Sequence, residues 1–209
     1  MNPDSQNTVQ KKLSNPMTGD LGRLLLVVVA LIADQVSKYM ARKNFGLPGG
    51  EPDYFHIKQV LGEWVQFRLV YNTGAAFGLR PQSVLPFLNP TVFYVLFSSV
   101  AIGVLVYYYA KLRPLEVLQK TGVALILSGA LGNLVDRLKF HKVTDFIDVG
   151  IPSYPIRWPT FNVADSCVCV GVTLIMLAPF FMSKSQSASS LPSSGATATG
   201  DNGASSAGS

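Results

Sequence analysis

The sequence predicts an all-α membrane protein: four transmembrane helices with a small β-sheet outside the bilayer. Three observations carry this reading. The chain of 209 residues is 48% hydrophobic and only 14% charged, with a positive mean hydropathy, too apolar for an ordinary soluble domain and short enough to be one membrane domain. Four runs are each long enough to cross a hydrocarbon core of about 30 Å, which takes about 20 residues at about 1.5 Å each. One connection alternates polar and apolar side chains as a half-buried strand does.

The first run is Leu21 to Ala41, in which "LLLVVVALIA" is followed by Asp34 and Lys38. A cleaved secretory signal would need small residues there, so this is a retained helix. The second run, Thr91 to Ala110, has no charge at all. The third, Val117 to Val135, ends against Asp136 and Arg137, and the fourth extends from Val163 to Met182 with Asp165 near its start. Residues 1–20 are polar and read as a flexible extension, residues 21–182 as the membrane domain. Residues 183–209, rich in Ser, Gly and Ala, read as a disordered tail with too little apolar surface to fold. Between the first two spans, "EWVQFRLVY" (Glu63 to Tyr71) has the strand alternation, and "YNTGAAFGL" suits either a turn whose backbone approaches something else or an ordinary connecting loop.

Four spans put both termini on one face and the connections 42–90 and 136–162 on the other. Asp34 lies in the later half of the first helix, Asp136 closes the third, Asp145 lies in the connection and Asp165 opens the fourth, so all four carboxylates gather at one membrane boundary. A carboxylate inside a span costs about 2.5–3.5 kcal/mol on insertion scales, and a cluster of them at one depth reads as a site. Each also has a plain structural reading. Asp34 and Lys38, spaced i,i+4, could neutralise each other while the lysine stem snorkels to the interface. Asp136 could pair with Arg137 as a helix-end anchor, on the face that also carries Asn133; Asp148 could face water; Asp165 could be an acid favoured by the helix dipole.

Other chemistries thin out. His56 and His141 lack metal-ligand spacing to a second His or Cys. Cys167 and Cys169, two apart in the apolar part of the fourth helix, read as small buried hydrophobes. No phosphate-binding glycine loop occurs, and no partner of nucleic-acid type is expected. What remains is a pair of carboxylates near the bilayer surface, able to share one proton and act on a water molecule, with amide hydrolysis the natural fit. The rival of another class is a proton- or ion-coupled transporter using the boundary aspartates as a relay, disfavoured by their place at one boundary instead of mid-membrane.

Five blocks in order, "DQVSK" (Asp34 to Lys38), "YNTGAAFG" (Tyr71 to Gly78), "GNLVDR" (Gly132 to Arg137), "VTDFID" (Val143 to Asp148) and "FNVADS" (Phe161 to Ser166), resemble the signature blocks of lipoprotein signal peptidase, or signal peptidase II. The resemblance covers about residues 21–182. It implies an aspartic peptidase of the bacterial cytoplasmic (inner) membrane, with four helices and a small extracytoplasmic sheet. Such an enzyme removes the signal peptide from diacylated prolipoproteins, cutting before the lipidated cysteine. Carried over by position, the catalytic pair is Asp145 and Asp165. Asp34, Lys38, Asn72, Gly74, Asn133, Asp136, Arg137 and Asn162 match positions of substrate contact or dyad support, and Asp148 is a weaker candidate. No metal or cofactor is implied, the expected partners are prolipoprotein substrate and membrane lipid, and the protein is expected to be a monomer. The resemblance also puts both termini in the cytoplasm and the site near the outer face. Charge does not: Lys11, Lys12, Arg23, Lys111, Arg113, Lys120 and Lys184 would be inside, while the connections on the other face carry more basic residues, including Lys43, Lys58, Arg68, Lys139 and Lys142, so the positive-inside rule is silent or mildly contrary.

Overall fold

The computed structural model describes residues 16–74, 89–152, 154 and 156–189. The element order is α1 (Pro16–Phe45), β1 (Lys58–Leu61), β2 (Val65–Asn72), α2 (Pro90–Lys111), α3 (Val117–Phe140), β3 (Val143–Val149) and α4 (Val163–Ser189). All four helices are long and apolar enough to cross a membrane. α3 has an apolar stretch with a mean hydropathy of 1.2, against 1.7 to 2.0 for those of the other helices. It is also the most enclosed helix, 39% of its span being buried against 6% for α2. The polar helix is thus the central one, shielded from lipid by its neighbours.

All four helices extend beyond the apolar runs, α1 and α2 at both ends and α3 and α4 at their C-terminal ends. α1 starts at Pro16, a residue suited to the first helical turn, and not at Leu21. Its Asp20 accepts hydrogen bonds from Tyr109 Oη of α2 (2.6 Å), Arg23 Nη1 (2.9 Å) and Lys120 Nζ of α3 (3.2 Å), so part of the segment expected to be loose ties three helices together. α3 runs five residues past Val135 and closes on His141 in the left-handed region (φ 58°), whose N–H donates to Arg137 O. Asp136 therefore lies inside the helix. α4 continues to Ser189, because adding residues to a formed helix costs little. Residues 1–15 and 190–209 lie outside the described residues.

Glycine lets α3 and α4 meet closely. A Cβ on Gly122 would lie 2.7 Å from Gly171 O, one on Gly171 would lie 2.5 Å from Gly122 O, and one on Gly129 would strike Ala164 O. The seam leads directly to the polar end of both helices.

Outside the spans, β1, β2 and β3 form one antiparallel sheet in that order. The alternating segment becomes β2, with Val70 opposite Asp145 and Gln66 opposite Asp148; the register shifts by one residue between Phe67 and Val70. This bulge interrupts the expected alternation, so that Gln66 and Leu69 are the buried residues of the strand and Trp64 is exposed. β3 is covered on both faces, and its far edge pairs with the chain returning to α4 through Ile147 with Phe161 and Gly150 with Arg157. Leu69, Phe146, Ala41 and Phe45 form the small apolar core joining sheet to α1.

Candidate active site

α4 is capped by a reciprocal pair. Asn162 Oδ1 accepts from Asp165 N at 2.9 Å, and Asp165 Oδ2 accepts from Asn162 N at 3.2 Å, the geometry of a capping box in which two orphan backbone donors are satisfied at once. This cap fixes the rotamer of Asp165. Its other oxygen accepts from Asn133 Nδ2 of α3 at 2.8 Å.

Asn162 also reaches the strand. Its Nδ2 donates to Asp145 Oδ1 at 2.7 Å, to Thr144 O at 3.2 Å and to Asn133 Oδ1 at 3.2 Å, and the whole side chain is buried. One carboxamide thus bridges β3, α3 and the start of α4. Asp145 is 2% exposed, and burial followed by the neighbouring Asp165 charge pushes its carboxyl up from 3.8 to about 7, against hydrogen bonds from Asn72 and Asn162 and the Lys38 charge. A carboxyl titrating near neutrality beside a second one is the pattern of an acid and base working as a pair.

Behind the asparagines lies a buried ion network. Lys38 Nζ is 2.9 Å from Asp34 Oδ2, 3.5 Å from Asp136 Oδ2 and 2.8 Å from Asn133 Oδ1. The expected i,i+4 pair exists, but Lys38 does not snorkel: its side chain is wholly buried, because two carboxylates and an amide oxygen hold its charge inside the bundle. Asp34 also accepts from Ala164 N at 2.9 Å, linking α1 to the first turn of α4. Asp136 does not pair with Arg137 as the sequence suggested. It lies opposite, accepting from Thr144 N at 2.9 Å with Arg42 Nη1 at 3.7 Å. Arg137 instead lies over the Tyr94 ring, within Coulombic range of Asp165 and Asp145.

A model of the family described as Signal peptidase (SPase) II matches residues 26–181, which contain every residue of this network. The chain belongs to the signal peptidase II family. It is 37% identical over 158 residues to the lipoprotein signal peptidase of Syntrophotalea carbinolica, covering 75% of this chain and 90% of that one. It is 40% identical over 152 residues to that of Moorella thermoacetica, covering 73% and 88%. A solved bacterial membrane enzyme superposes with a TM-score of 0.64 at 27% identity, covering 79% of this chain and 91% of that chain. The chain is accordingly a multi-pass bacterial membrane protein and a peptidase of the signal peptidase II type. The transporter alternative finds no support in these comparisons.

Within this signal peptidase II, ten residues selected from the sequence form one region, with Asn72 at the end of β2 and Gly74 donating its N–H to Asn72 Oδ1 at 2.9 Å. The rest of the anticipated turn, Ala75 to Leu79, lies outside the described residues. Asp148 does not face water. It is 1% exposed and held by Arg157 Nε at 2.8 and 2.9 Å and by Arg68 Nε at 3.0 Å, away from the dyad. Cys169 is exposed and Cys167 half-buried, both free, so neither is the buried residue that the sequence suggested. Among the described residues no three His, Cys, Asp or Glu side chains converge as metal ligands would. Sequence reasoning missed Arg42, which donates to Thr144 Oγ1 at 2.7 Å, stacks on Phe140 and offsets Asp136. The signal was present: Asp34, Lys38 and Arg42 recur every four residues along one face of α1.

Proposed function

We propose that this peptidase is an aspartic endopeptidase that removes the signal peptide from diacylglyceryl-modified prolipoproteins, cutting before the lipidated cysteine, with Asp145 and Asp165 as catalytic pair. The observation that carries this reading is the Asn162 bridge. One buried side chain holds a carboxyl titrating near 7 beside a second carboxyl whose two oxygens are already met by N–H donors. Donors on both oxygens suit a carboxylate, so Asp165 is assigned as the base and Asp145 as the acid.

In the proposed reaction a water molecule between the two loses a proton to Asp165 as its oxygen attacks the scissile carbonyl carbon, while Asp145 gives its proton to the carbonyl oxygen. The tetrahedral intermediate collapses with the C–N bond. The new amine takes the proton from Asp165, and the intermediate's hydroxyl proton returns to Asp145, which restores the pair. No cofactor enters. Asn133 and Asn162 hold the two carboxyls, Asn72 supports Asp145, and Lys38, Asp34 and Asp136 hold Asn133 and the start of α4. The site is assigned to the extracytoplasmic face, with both termini cytoplasmic, residues 21–182 as the catalytic domain and the monomer as the working unit. The substrate's acyl chains, anchored in the bilayer, keep its scissile bond at the depth of the dyad.

The test is direct. Purified protein incubated with a diacylated prolipoprotein should release the signal peptide, read as a mass shift, and Asp145→Asn and Asp165→Asn should each abolish it. Full activity in either variant would remove the assignment.

A further inference from the structure

Thr144, wholly buried and one residue before Asp145, has each of its polar groups held by a different segment. Its N–H donates to Asp136 Oδ2 of α3 at 2.9 Å, its carbonyl accepts from Asn162 Nδ2 at 3.2 Å, and its Oγ1 accepts from Arg42 Nη1 of α1 at 2.7 Å. Asp136 and Asn162 already support the dyad. Arg42 takes no part in the proposed reaction. Side chains alternate along a strand, so Thr144 and Phe146 lie on the face of β3 opposite Asp145. Phe146 joins Ala41 and Phe45 of α1 in one apolar cluster, which puts that helix behind the strand. Arg42 therefore reaches Thr144 from the side of the sheet away from the dyad.

The guanidinium is itself fixed. Its carbon lies 4.4 Å from the centroid of the Phe140 ring, and Nη1, besides bonding Thr144, is 3.7 Å from Asp136 Oδ1. That oxygen is buried and accepts no hydrogen bond among the described residues, so the Arg42 charge is what stands beside it. Lys38 Nζ stands at the other oxygen, 3.5 Å from Oδ2. With a cation at each oxygen the carboxylate keeps its orientation, and Oδ2 stays on the Thr144 N–H. Arg42 thus holds Thr144 twice, directly through the hydroxyl and indirectly through Asp136.

We infer that Arg42 is a positioning residue for the peptidase reaction, clamping Thr144 from behind β3 so that Asp145 meets the scissile carbonyl at a fixed height and angle. The inference rests on Asp145 and Asp165 as the catalytic pair and adds to them a residue that touches neither substrate nor the attacking water. A reacting group displaced by about 1 Å can cost on the order of a hundredfold in rate. Substrate is bound on the other face of the strand, so loss of the clamp is read in kcat and not in KM.

The experiment measures kcat and KM for a diacylated prolipoprotein at a temperature where melts show each variant folded. Arg42→Met should lower kcat roughly ten- to a hundredfold while KM stays within about twofold of the parent. Arg42→Lys, which keeps a cation and a donor, should recover the greater part of that loss. Thr144→Val removes only the acceptor and leaves every charge in place; it should lower kcat severalfold with KM retained, and it alone decides the matter should Arg42→Met fail to fold. The double variant should be no slower than Arg42→Met, because both changes open one clamp. Lys43→Met, which removes an exposed cation one residue along, should leave both constants unchanged. Parental kcat in Arg42→Met or Thr144→Val would overturn the inference. So would a raised KM with kcat retained, losses that multiply in the double variant, or a lysine no better than methionine at position 42. Absence of cleavage by the unaltered enzyme, or full activity of Asp145→Asn, would instead overturn the peptidase reading and its catalytic pair, a result distinct from loss of the Arg42 effect alone.

Discussion

Asp145→Asn should stabilise the folded protein at neutral and alkaline pH while abolishing cleavage. Burial and the Asp165 charge lift the Asp145 carboxyl from 3.8 to about 7. At about 1.4 kcal/mol per pKa unit, keeping this group ionised in the fold opposes folding by up to about 4 kcal/mol. The folded state holds the proton more tightly than the unfolded chain. Between pH about 4 and about 7 it binds more protons than the unfolded chain, and stability falls as pH rises through that window. Above pH about 7 the whole penalty is present, and below pH about 4 it is absent. An amide cannot ionise, so the variant escapes it, less a pH-independent loss of about 1–3 kcal/mol should its amide be imperfectly paired with Asn162 and Asn72. The decisive quantity is therefore the change with pH of the gap between variant and parent. Thermal melts in one detergent at pH 5 and pH 8 should show the variant gaining on the parent at pH 8, by about 2–4 °C per kcal/mol for a chain of this size. A gap that is constant with pH, or wider at pH 5, would refute the claim that Asp145 is a desolvated carboxyl facing a second charge.

Asp165→Asn should be inactive and, unlike Asp145→Asn, less stable by about 1–3 kcal/mol, because its amide would direct N–H bonds at a position where Asn133 Nδ2 and Asn162 N already donate; equal or raised stability in melts would contradict this cap. Lys38→Met should cost about 3–5 kcal/mol by leaving Asp34 and Asp136 buried without their shared cation, and a variant that melts like the parent would show the network to be dispensable. The rate of cleavage against pH should be bell-shaped, falling as pH rises through about 7 while Asp145 loses its proton, with apparent values belonging to the coupled pair. EDTA should not inhibit, and inhibition reversed by a divalent ion would indicate a metal-dependent reaction. Gly132→Ala should impair both folding and activity, since a Cβ there would lie 2.5 Å from Asp34 Oδ2, and a variant with parental melting and rate would show that α3 can shift away.

Span number, the gathering of four aspartates and a strand over about Glu63 to Tyr71, observed at Val65–Asn72, were legible in the sequence, because each rests on a local pattern. Hydropathy over about 20 residues reports a span, and alternation over about eight reports a strand. β3 was not legible. It is covered on both faces and carries Asp145 and Asp148 three apart, so no alternation marks it, and its pairing with β2 depends on residues more than 70 positions earlier. The bulge that buries Gln66 and Leu69 was hidden for the same reason.

The sequence by itself determined which residue types are present at which depth: four helices, acids at one boundary and an Asn-Val-Ala-Asp start to α4. Only the tertiary structure decided their partners. Asp136 turned from its neighbour Arg137 to Lys38 and Arg42, Lys38 went inward in place of outward, and Asp148 became a clasp for two arginines. A charge inside an apolar bundle is held by whichever opposite charges other segments bring to it, since burial makes an unpaired ion far costlier than in water. Helical spacing can say that Asp34, Lys38 and Arg42 share a face. The packing of α1 against α3, closed by the glycine seam between α3 and α4, decides what that face meets.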